Sequence, residues 1–136
     1  MFINSVTATI ATFFIALGGW MQPSQDKTFT TYGYIDHLDA PASARVGHPL
    51  VIKVSGALPQ AGLTFRGLEF VEYPETKTIL IKAVATGEKD KAYADMLSPF
   101  TATGSFTPRV TGLYRFTAMQ PNGTAASIDK RLEVRP

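Results

Sequence analysis

The side chains with the greatest chemical reach in this chain are His37, Asp39 and His48. Imidazole and carboxylate both ligate divalent metals. Residues two apart share one face of an extended strand, so His37 stands beside Asp39 if that segment is extended. His48 follows in a Gly47-His48-Pro49 turn. Together the three are the candidate ligands of a copper or zinc site in a periplasmic metal-binding protein. Copper(I) prefers soft thioether partners, and Met21, Met96 and Met119 show no close spacing. The chain is therefore read as holding no resident metal or cofactor, with the metal site kept as the alternative.

Other reactive constellations are weaker. Serines are present with two histidines, but no G-x-S-x-G elbow appears, and Ser55-Gly56 and Gly104-Ser105 fall at or within strands. Glu69 with Glu72, and Glu88 with Asp90, are formal carboxylate pairs. Neighbouring Arg66 and the interleaved signs of "GEKDK" make both read as solvated faces. Asn122-Gly123-Thr124 matches a glycosylation sequon, yet Asn-Gly is first of all a turn. With no Cys, a disulfide framework, a thiolate metal site and a Cys nucleophile are all excluded. No catalytic residue is assigned, and an enzyme is not expected.

The elements that would position these groups come from a body with period two. In "LVIKVS" Leu50, Ile52 and Val54 take one face and Lys53 and Ser55 the other. Leu63 and Phe65 continue the alternation, which slips by one residue at Gly67 before Leu68 and Phe70, as a β-bulge would produce. Ile79, Ile81 and Ala83 form the inward set of the next run. Phe100, Ala102 and Phe106, then Tyr114, Phe116 and Ala118, then Ile128, Leu132 and Val134 do the same for the rest. Turns at Gly47-His48-Pro49, Leu58-Pro59-Gln60, Tyr73-Pro74 and Gln120-Pro121-Asn122-Gly123 separate them. With a short strand at residues 43–46, the pattern predicts an all-β sandwich of about seven antiparallel strands over residues 42–136. "KDKAYADML" has room for one short helical turn at most. Residues 19–41 read as a linker or an extra edge strand, with Tyr32, Tyr34 and Ile35 able to pair.

Length and charge narrow the setting. A chain of 136 residues holds one domain. Its 13 basic and 11 acidic side chains nearly cancel, with no basic run longer than two. That excludes nucleic acid as the expected partner. The first charge is Asp26, and an apolar stretch from Phe2 to Leu17 ends in Ala16-Leu17-Gly18. This is the layout of a secretory signal cut near Gly18, without the usual basic start. An uncleaved anchor is a second reading and would be the protein's one contact with a membrane. A β-rich or buried element of the fold is a third, since Val6, Thr7, Thr9, Ile10 and Thr12 are β-branched. Residues 1–18 are taken as signal peptide or anchor, and the protein as periplasmic or extracellular.

"FTPRVTGLYRF" is the most informative stretch, because Gly112 two residues ahead of Tyr114 frees the chain to turn into a strand. In immunoglobulin-like sandwiches a Tyr at this place returns its hydroxyl to backbone upstream and pins a corner. "ASARVGHPLVIKVSGALP", "ILIKA", "ADMLSPFTATGSFTP", "GLYRFTA" and "LEVRP" together resemble the small immunoglobulin-like domain of secreted bacterial envelope proteins, many of them lipoproteins. The resemblance spans about residues 41–135 and implies fold more than function. Two features depart from it. The Cys pair common near the third strand and before "PF" is missing, and Gly19 stands where a lipobox Cys would be lipidated.

One surface feature points to a partner. Val71, Leu80 and Val84 fall out of phase with the inward set, on the outer face of one sheet. A strand apolar on both faces is covered or waits for a partner. They are the candidate binding residues, to be covered by residues 20–40 or by another protein. The expected role is a non-catalytic binding or assembly module of the bacterial envelope, engaging another envelope protein or itself.

Overall fold

The computed structural model describes residues 27–136. The readings made for residues 1–18, and for the stretch up to residue 26, lie outside the described residues. From Lys27 onward the alternation of the sequence becomes nine strands: β1 (Thr28–Tyr32), β2 (Tyr34–Asp39), β3 (Ser43–Arg45), β4 (Leu50–Leu58), β5 (Thr64–Tyr73), β6 (Thr78–Glu88), β7 (Ser98–Phe106), β8 (Gly112–Met119) and β9 (Ala125–Arg135). They form two packed sheets, the expected all-β sandwich.

The three-stranded sheet runs β2-β4-β7 and is antiparallel throughout. The larger sheet is built around β6. One margin of β6 pairs with β5 from Thr78 to Thr86. The other margin is shared, Thr78–Ile81 taking β8 and Val84–Glu88 taking β1. Then β9 pairs with β8, and β3 with β9.

Three features go beyond the sequence reading. Two pairings are parallel, β6 with β8 and β3 with β9. Alternation records which face a residue takes, not the direction of its neighbour, so the sequence carries no sign of this. Residues 28–39 form two strands in different sheets instead of a linker or one edge strand. The crossing point is Gly33, buried, whose N–H donates to the Ala83 carbonyl at 2.8 Å. Finally, residues 89–97 make no helical turn. The loop is held by the Ala61 N–H on the Ala94 carbonyl at 3.1 Å and by the Glu88 N–H on the Tyr93 hydroxyl at 2.8 Å.

The inward set packs as read. Ile52 and Val54 of one sheet meet Ile79, Ile81, Phe116 and Leu132 of the other, all fully buried. Each such side chain contributes roughly 1.5–3 kcal/mol on leaving water. The slip at Gly67 is a real bulge. Register shifts between Phe65 and Gly67, and Gly67 has φ 138°, a region open to glycine and closed to other residues. Because of that shift, Phe65, Leu68 and Phe70 all point inward. Phe65 then stacks on Phe100 at 4.9 Å between centroids, and Phe70 tilts against Phe106 at 5.9 Å. These two pairs close the margin of the sandwich where β5 and β7 lie side by side. A second, smaller cluster of Leu58, Leu63 and Ala85, with Phe29 and Tyr93, fills the end near residues 89–97.

Candidate interaction surfaces

The corner at Tyr114 is built as its neighbours demand. Gly112 has φ 145°, and from it the chain enters β8 with Tyr114 fully buried. The Tyr114 hydroxyl lies 2.9 Å from the Val110 carbonyl, four residues back, and 2.9 Å from the Glu72 carboxylate. One phenolic proton is shared between two acceptors. Burial first, then the hydrogen bond and charge of Glu72, push the Tyr114 hydroxyl well above the usual tyrosine range, so it stays protonated. Above its ring, at 5.7 Å, stands the Lys77 ammonium, which also donates to the Thr111 carbonyl at 3.2 Å. Tyr114 is thus spent on structure.

Glu72 does not belong to the solvated face that its sequence context predicts. Its carboxylate accepts the Arg109 N–H at 3.0 Å and the Val110 N–H at 3.0 Å as well as facing the Tyr114 hydroxyl. The bulge at Gly67 turns Glu72 to the inner side, opposite Ile79. There it caps the loop between β7 and β8. No motif in the sequence marks that role, because the loop it serves lies 37 residues away.

The candidate metal ligands do not assemble. His37 and Asp39 share the outward side of β2, Leu38 between them being buried, as alternation requires. His48 sits in its turn with its N–H on the Arg45 carbonyl at 3.1 Å. Among the described residues no three His, Asp or Glu side chains converge to hold a metal ion. Asp39 instead lines a shallow depression of about 410 Å³ with Ala40, Pro41, Val51, Lys53 and Thr103. Val51 is 61% exposed there. A second depression, about 270 Å³, lies over Arg115 and residues 127–131.

Val71, Leu80 and Val84 do share the outer face of the larger sheet. Val71 pairs directly with Leu80, and Val84 lies four residues further along β6, with Lys82 opposite Glu69 on the same face between them. Tyr32 of β1 pairs with Val84 and extends the band, and Tyr73 continues it on β5. The band is less open than its composition predicts. Leu80, in the middle, is only 6% exposed, while Val71 and Val84 are half-buried. Covering by residues 20–40 was one expectation. In the described part of that segment β1 lies beside β6, adding to the sheet instead of lying over its face.

Two surfaces were missed by the sequence reading. β7 ends its sheet, and its nine residues carry no charge and show no register shift against β4. Edge strands are usually blunted by charge or bulges; here Pro99 alone serves. The second is the end of the loop of residues 89–97, just before β7, where Met96 and Leu97 are 63% and 60% exposed.

No protein-family model, curated protein or solved structure matches the chain. Its architecture accordingly stands on its own strand pairing: an all-β domain of two packed sheets.

Proposed function

We propose that this protein is an exported, non-catalytic binding or assembly module of a bacterial envelope, its sandwich of the immunoglobulin-like kind. The fold assignment is supported by the Tyr114 corner at the start of β8. The parallel β6–β8 and β3–β9 pairs are its departures from the wholly antiparallel arrangement. Export is supported by the uncharged, apolar start of the chain.

The observation that carries the binding role is the outer set of Tyr32, Val84, Leu80, Val71 and Tyr73, apolar side chains on both sides of the Lys82–Glu69 pair, on a face that a solvated sheet normally fills with polar groups. Thr101, Thr103 and Ser105 show the ordinary pattern on β7. Val71→Thr combined with Val84→Thr removes apolar surface and keeps β-propensity, leaving the nearly buried Leu80 in place. Capture of envelope proteins by the purified chain, and its own sedimentation, are then compared with the parent. Loss of a partner or of self-association, with the melting curve retained, supports the role. Unchanged capture, oligomeric state and stability would falsify it.

A further inference from the structure

The loop that carries Met96 and Leu97 lies at the same end of the sandwich as Lys27. The Lys89 N–H donates to the Lys27 carbonyl at 2.7 Å, and Thr28 pairs with Glu88, the last residue of β6. All chain preceding Lys27 therefore enters the domain at this end. That chain is uncharged from Met1 to Gln25 and apolar from Phe2 to Leu17. If it is cut near Gly19, the remaining start is Gly19-Trp20-Met21, and Trp favours the headgroup level of a bilayer. Two adjacent exposed apolar side chains and the apolar start of the chain are thus covalently directed to one pole of the molecule.

We infer that this pole is the membrane-facing end, with Met96 and Leu97 seated in the interfacial layer of a lipid bilayer. The charges around it decide what kind of contact this is. Lys27, Lys89 and Lys91 are exposed there, and so are Glu88, Asp90 and Asp95. The signs cancel, so attraction to anionic headgroups is weak and apolar insertion carries the contact. Val51 and Leu113, comparably exposed, serve as references because they lie at the far end. Val51 pairs with Ser105 and Leu113 with Glu133, near the opposite ends of β4 and β8. The nine residues of β4 alone separate the two ends by roughly 25–30 Å. This inference rests on the apolar start of the chain and not on the protein-binding band, so either can fail without the other.

The chain has no Cys, so single substitutions Met96→Cys, Leu97→Cys, Val51→Cys and Leu113→Cys each accept one environment-sensitive fluorophore. The labelled proteins, with their native N-terminus, are mixed with phosphatidylcholine vesicles bearing a quencher on the acyl chain. Quenching several-fold stronger at positions 96 and 97 than at 51 and 113 is the expected result, with little change when phosphatidylglycerol is added. Equal quenching at all four positions overturns the inference. So does a probe at 96 or 97 already shielded without vesicles, which would mean that protein covers the tip. Quenching that needs anionic lipid overturns apolar seating in favour of charge. A Met96→Asp, Leu97→Asp variant, altered only in exposed loop residues, should lose the contact while its melting curve stays unchanged.

Discussion

The Tyr114 hydroxyl and the Glu72 carboxylate meet at 2.9 Å across 42 residues of sequence, and the same carboxylate caps two backbone N–H groups of the loop that leads into β8. The corner is therefore held from both sides, by its own backbone and by a strand of the β5–β6 hairpin. Tyr114→Phe should cost about 1–2 kcal/mol with the fold kept, and Glu72→Ala about 1–3 kcal/mol because it strands the loop donors. The two losses should not add, since they share one hydrogen bond. Denaturant melts of both single variants and the double variant measure the coupling; strict additivity would show that the contact carries no energy.

The raised Tyr114 hydroxyl also fixes a pH dependence. Its folded value lies above the unfolded value of 10.0, so the neutral phenol is the form that folding favours. The contribution is fully present below pH ~10 and is lost as pH rises from there toward the folded value. Alkaline melts should thus show stability falling above pH ~10, and the fall should be shallower in Tyr114→Phe. Identical alkaline slopes in the two proteins would count against a buried, carboxylate-facing phenol.

Gly112 should resist substitution for two separate reasons. Its φ of 145° is strained for any other residue, and a Cβ there would stand 2.9 Å from the Lys77 side chain. Gly112→Ala should lose more than about 1 kcal/mol. Gly123→Ala, at φ 88° with open space around it, isolates the backbone part of that cost. A smaller loss at position 112 than at 123 would mean that the Lys77 side chain yields freely.

For the metal alternative, the absence of any three-ligand cluster among the described residues sets the expectation. Calorimetry with Zn²⁺ and Cu²⁺ should show only weak binding, no tighter than isolated surface imidazoles give, and His37→Ala with His48→Ala should change it little. A submicromolar site abolished by either substitution would restore the metal reading.

Much of this molecule was legible as a string of residues, because burial in a sheet is written locally. Alternation with period two assigned Ile52, Val54, Ile79, Ile81, Tyr114, Phe116 and Leu132 to the interior, and each is buried. The one-residue slip located the bulge at Gly67, and Gly112 with Tyr114 located the corner. It also placed Val71, Leu80 and Val84 on one outer face. What the string could not contain is which strands become neighbours. Pairing is decided by contacts distant in sequence, where alternation is the same for a parallel or an antiparallel neighbour and for either sheet. Hence the parallel β6–β8 pair, the separation of β1 from β2 at Gly33 and the reach of Glu72 to Arg109 emerge only in three dimensions. Exposure follows the same logic. Leu80 is 6% exposed, whereas Met96 and Leu97, equally apolar, stand at 63% and 60%, and only the packed structure tells the two cases apart.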